Sequence, residues 1–154
     1  MQSTNNNVEK REAFARKVAH MRLKIMPIYP LPGGPPHHDF PLTMLQFYLL
    51  GESQLDAMAT YYSQSVVNEW TTKYPGFMAW DAEFFADPAL SETERVKIKL
   101  RKFGHFIGLR GCETPIEETV MQLRLAEERI GREIEQAKDA ERAQDKIWKR
   151  WHGV

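Results

Sequence analysis

The sequence predicts a mainly α-helical fold: a small irregular helical domain with a long C-terminal helix and a Pro-rich N-terminal tether. Three observations predict it. Apolar residues recur at three- and four-residue spacings through most of the chain, which stacks side chains on one helical face. Two helix starts are written in full, Ser91 with Glu94, and Thr114-Pro115 with Glu117. Prolines, which interrupt helices, are concentrated, six of the nine lying in residues 27–41. The organisation that follows is a basic amphipathic N-terminal helix over 1–26, an extended linker over 27–41, and a helical domain over 42–154 whose C-terminal helix projects.

A chain of 154 residues buries roughly two-thirds of its surface and forms a sizeable core. With 42% hydrophobic and 27% charged residues it has the composition of a soluble globular protein. Its single cysteine excludes an internal disulfide framework and a cysteine-based zinc cluster. No apolar run reaches the roughly 18–20 residues that cross a bilayer. The start, MQSTNNN, lacks the charged-then-apolar order of a secretory signal. The expected location is intracellular, cytoplasmic or nuclear.

Net charge is zero, but the charges are blocked. Residues 1–26 carry six basic and two acidic groups; 42–94 carry eight acidic groups and only Lys73; 95–110 carry six basic groups and no acid. Blocks of opposite sign can satisfy one another inside a fold or address an external partner.

In order along the chain, Phe14, Val18, Met21 and Ile25 predict a helix over 8–25, docked by that face, with bases on the remainder. Pro27 ends it. In 27–41 the prolines impose an extended path, and Lys24, Pro27 and Pro30 fit a pattern that SH3-type grooves accept, one that so many prolines produce readily. His37-His38-Asp39 could reach one ion, but zinc takes three or four ligands and no other histidine has ligand spacing, so no metal is assigned. LTMLQFYLL, stopped by Gly51, reads as a short helix buried nearly all round. Ser53 and Asp56 open a helix to about Tyr74, with Leu55, Met58, Ala59, Tyr62, Val66 and Trp70 facing inward. WDAEFFAD is expected to form a turn or two of helix.

Ser91 to Pro115 links the acidic, aromatic front half to the closing helix. A helix over 92–109 places Arg95, Lys99 and Lys102 in one row and Lys97, Arg101 and His105 in the next, a solvent-facing basic strip. Arg95, Lys97, Lys99, Arg101 and Lys102 are therefore candidate anion-binding residues, for nucleic-acid phosphates or an acidic partner. No zinc-finger, RNP or helix-turn-helix pattern is present to read bases. Gly104 and Gly108 predict close packing of another helix on that face. Cys112, with His105 as a base, is the one candidate nucleophile, but no orienting group or oxyanion donor accompanies it.

The closing helix should run from Thr114 to about Trp151. Ile116, Val120, Leu123, Ile130, Ile134, Ala137, Trp148 and Trp151 follow a seven-residue pattern that Glu127, Glu141 and Gln144 interrupt. Its first half is expected to pack on the core and its second half to project or pair with another chain. Trp148 and Trp151, flanked by Lys149 and Arg150, are the candidate protein-binding residues, because indoles are favoured interface anchors.

The functional expectation is a non-enzymatic interaction or scaffold module of an intracellular assembly. It engages a protein partner or a second copy through the C-terminal helix and has no catalytic residue, cofactor or metal. Two alternatives stand beside it: a nucleic-acid-binding accessory protein using 95–110, and a small thiol enzyme using Cys112.

Overall fold

The computed structural model describes the backbone of residues 2–153 and the side chains of residues 6–153. Among these residues there are six α-helices and no strand: α1 (Gln2–Met21), α2 (Met44–Tyr48), α3 (Glu52–Tyr61), α4 (Ala82–Phe85), α5 (Glu92–Phe106) and α6 (Ile116–His152). They form two compact units. The first comprises residues 1–82 and 91–113, the second residues 83–90 and 114–154.

The first unit is built on aromatic packing. Leu55, Met58 and Tyr62 from α3 and its C-cap, Phe103 and Phe106 from α5, and Phe40 and Phe47 enclose one another. Tyr62 and Phe103 are wholly buried. Phe40 meets Phe103 edge-on at 6.0 Å and Tyr62 meets Phe106 tilted at 5.7 Å, while Phe47 stacks on Phe103 at 6.3 Å; edge-on pairs are an arrangement that the ring quadrupole favours.

Residues 27–41 run without regular structure, bending at 31–33 and turning at 38–39, and three tyrosine hydroxyls engage their backbone. Tyr62 Oη donates to the Ile28 carbonyl (2.7 Å) and accepts from the His37 amide (3.1 Å). Tyr74 Oη accepts from Leu31 N (2.7 Å), and Tyr61 Oη donates to the Pro35 carbonyl (2.7 Å). A proline-rich chain of this kind makes no ladder of its own, so its buried polar groups need such partners.

Four expectations are corrected. The first helix ends at Met21, because Leu23 and Ile25 leave it to exchange backbone hydrogen bonds with 42–44 (Ile25 N to Leu42 O, 3.0 Å; Met44 N to Leu23 O, 2.9 Å). Its expected docking face is engaged in part: Phe14 is 69% exposed, Val18 and Met21 are half-buried, and Ile25, beyond the helix end, is buried in the core, with His20 6.4 Å from Tyr48. The helix α2 is buried on one side only: Met44 and Phe47 face in, while Leu45 and Tyr48 are exposed.

The third correction concerns α3, which stops at Tyr61 rather than Tyr74. Ser63 turns into the left-handed region (φ +54°), and Gln64 N and Ser65 N both close onto Ala59 O. The buried Gln64 amide then donates to Tyr62 O and Thr71 O and accepts from Met78 N, each at 3.1 Å. One side chain thus replaces the helical ladder for a loop, and Val66 is left exposed.

Fourth, the two α5 glycines have different causes. At Gly104 a Cβ would lie 2.9 Å from Phe47 Cζ and 2.5 Å from Cys112 Sγ, so close packing requires glycine there. Gly108 meets no neighbour; it lies beyond the helix end at φ +82°, where Leu109 N reaches back to Gly104 O (2.9 Å). The α5 start is as read, with Ser91 Oγ accepting from Glu94 N (3.2 Å) and Glu94 Oε2 from Ser91 N (3.1 Å).

In the second unit, Phe84, Phe85, Leu90 and Leu125 are buried. The 37-residue α6 starts one residue later than read, with Pro115 as its N-cap, and ends at Gly153 in the left-handed region.

Candidate protein-interaction surface

At 1.5 Å per residue α6 is about 55 Å long. In heptad notation Val120, Glu127, Ile134, Glu141 and Trp148 occupy a positions, and Ile116, Leu123, Ile130, Ala137, Gln144 and Trp151 occupy d positions. The expectation that the first half of this seam packs inward is corrected. Ile116, Val120, Leu123, Ile130 and Ile134 are all exposed, Ile134 least so at 50%. The two buried α6 residues among those described, Glu118 and Leu125, both fall at f positions on the opposite side.

That opposite side is engaged within its own unit. Arg129 Nη1 donates to Glu83 (3.1 Å), and Arg132 lies 3.9 Å from the buried Asp87 carboxylate. Gln122 Nε2 donates to Glu118 at 3.4 Å. The back of α6 thus binds the turn that carries Phe84 and Phe85, while the apolar seam faces away. Exposed apolar residues at these positions from Ile116 to Ile134, and again at Trp148 and Trp151, exceed the scattered single residues that any surface carries.

Trp148 and Trp151 lie at the end of the seam, 55% and 82% exposed. Trp148 stacks on His152 at 4.4 Å, and His152 Nδ1 lies 2.9 Å from the Trp148 carbonyl oxygen. Lys149 pairs with Asp145 (2.8 Å), and Arg150 is exposed. Ile147, one position before Trp148 and also exposed, widens the apolar end; the heptad register could have located it.

The basic strip of α5 does not face solvent as a whole. Arg95 forms a two-pronged ion pair with Glu52 through Nε and Nη2. Lys99, its side chain 6% exposed, donates to Glu52 (2.8 Å) and Asp56 (2.6 Å). Lys102 is buried and donates to the Ala79 carbonyl (2.9 Å), and burial lowers its pKa. Burial likewise lowers the pKa of the half-buried Arg101, while Lys97 points outward. The acidic block of 42–94 therefore takes up Arg95 and Lys99.

Glu52 sits at the centre of this network. Its hydrogen bond from Arg95 holds its carboxyl at about 2, against partial burial and with help from Lys99. A depressed folded-state pKa contributes stability that is complete above the unfolded value of about 4.5 and is lost as pH falls towards 2. Urea midpoints are accordingly expected to drop between about pH 4.5 and 2 in the wild type. They should drop less steeply in Glu52→Gln, which at neutral pH is destabilised by about 1–3 kcal/mol. Equal slopes for the two proteins would contradict the assignment.

His37, His38 and Asp39 place three potential ligand atoms within 4.8 Å. His37 Nδ1, however, accepts the Asp39 amide hydrogen (3.1 Å), so its only neutral-state lone pair is already in use. Burial and the adjacent His38 lower the His37 pKa, with Asp39 opposing. The residues fit a turn rather than an ion. Cys112 lies against Gly104, and burial, with Glu113, pushes its thiol up despite Arg101, the reverse of what a nucleophile needs. His105 is exposed. Of the residues matching an SH3-type pattern, Pro30 is buried, and the neighbouring Ile28 carbonyl is engaged by Tyr62.

No protein-family model, curated protein or solved structure matches this chain. Among the described residues no helix is long and apolar enough to cross a membrane.

Proposed function

We propose that this chain is a non-enzymatic interaction module of an intracellular assembly, with α6 as its contact element. The observation that supports it is the open seam of α6: apolar residues at a and d positions turned away from the side that the helix uses within its own unit. Trp148 and Trp151 act as anchors at one end, since large rigid rings bury much area at small entropic cost. Lys149 and Arg150 add charge around them. The nucleic-acid alternative rests on a basic strip of which Arg95, Lys99 and Lys102 are engaged within the first unit, so it is not carried further.

The test is affinity purification of the intact protein beside Trp148→Ala/Trp151→Ala. The expected result is loss of the co-purifying chains from the variant. An identical set from both proteins would overturn the anchor assignment.

A further inference from the structure

We infer that the occupant of the α6 seam is α6 of a second copy of this chain, running antiparallel, with Val120 opposite Trp151 and Leu123 opposite Trp148. This inference rests on the interaction-module reading and names its partner.

The heptad positions decide the direction. In a parallel, in-register pair each a residue meets itself, which would put Glu127 against Glu127 and Glu141 against Glu141 inside the seam. An antiparallel pair sets a against d. With Val120 opposite Trp151, the remaining layers are Leu123 with Trp148, Glu127 with Gln144, Ile130 with Glu141, and Ile134 with Ala137 at the centre. Each indole then lies on a smaller aliphatic residue. The Gln144 amide can donate to the Glu127 carboxylate, so one pair of interrupting residues becomes mutually satisfying. Ile130 opposite Glu141 is the unfavourable layer.

The flanking charges decide the register. Antiparallel helices bring e positions together, and here these are Glu117, Arg124, Gly131, Lys138, Asp145 and His152. The stated register pairs Arg124 with Asp145, Glu117 with His152, and Gly131 with Lys138, each twice by symmetry and none of like sign. Sliding one heptad one way puts Glu117 against Asp145 and Arg124 against Lys138. Sliding the other way puts Lys138 against itself and Arg124 against His152. Both alternatives are repulsive at the rim, and the favoured register also overlaps the helices over nearly their whole length.

Groups facing these charges on their own helix compete modestly. Arg124 pairs with Glu128 at 3.2 Å and Asp145 with Lys149 at 2.8 Å, both exposed pairs that exchange partners at little cost.

The test is sedimentation equilibrium of the full chain at low salt over a concentration series. The expected species has twice the 18.0 kDa chain mass. Arg124→Glu and Asp145→Arg are each expected to weaken the dimer about five- to tenfold, since each turns two attractive contacts repulsive. Combining them should restore it, because the reversed charges again face their opposites. A dimer indifferent to the single changes, or not rescued by the double one, would overturn the register and direction. A chain that stays monomeric yet still captures other proteins through Trp148 and Trp151 would overturn the second copy while leaving the interaction module standing. A monomer with no such capture would overturn both.

Discussion

Tyr62→Phe is expected to lower the unfolding free energy by about 2–4 kcal/mol, although it removes only one oxygen. The residue is wholly buried, and its hydroxyl serves two backbone groups of the proline-rich segment, donating to Ile28 O and accepting from His37 N. Phenylalanine keeps the ring contacts with Phe40, Tyr74 and Phe106 but leaves the buried His37 amide and the half-buried Ile28 carbonyl without their partner. Each such orphan costs about 1–3 kcal/mol. Against a total of about 5–15 kcal/mol for a domain, the loss is large.

Tyr61→Phe provides the control. Its hydroxyl also donates to a carbonyl of the same segment, Pro35 O, but Tyr61 is exposed, so water can replace it. That variant is expected to fall within about 0.5–1 kcal/mol of the wild type. Urea denaturation of the two variants is the measurement. Equal midpoints would mean that the tyrosine hydroxyls do not hold residues 27–41.

What could be read from the sequence was local. The Ser91–Glu94 box formed as written because both partners lie within one turn; the Thr114–Glu117 box did not, Pro115 being the N-cap without a side-chain hydrogen bond, but the length of α6 followed from the absence of any proline between Pro115 and Gly153. What could not be read was set by distant partners. Val66 and Trp70 continue the α3 spacing, yet Gln64, bonded to Tyr62, Thr71 and Met78, ends that helix. Arg95, Lys99 and Lys102 form a row on α5, as their spacing requires. Their distance from solvent depends on Glu52, Asp56 and Ala79, which lie 23 to 47 residues earlier. On α6 the apolar pattern was legible as a seam, but an apolar stripe does not state which body it meets. Leu125 and Glu118, off the pattern, are the residues buried instead.

The second large effect concerns that seam and leaves the fold intact. At a concentration low enough that both proteins are monomeric, Ile130→Asp/Ile134→Asp is expected to change the unfolding free energy by no more than about 0.5 kcal/mol per site, since both positions are exposed and aspartate resembles isoleucine in helix propensity. The same two carboxylates would stand in the middle of any interface formed on the seam, unpaired and cut off from water. Association is therefore expected to fall at least a hundredfold, the consequence of burying unpaired charges. Loss of stability in the monomeric state itself would instead mean that the seam supports the fold.

The most direct measurement is photo-crosslinking in cells from a photoreactive side chain placed at position 134 on the seam or at position 136 on the other side of α6. Adducts to another polypeptide from position 134 and none from position 136 are the expected result. Equal adducts from both positions, or none from position 134, would contradict the reading of α6 as a one-sided contact helix.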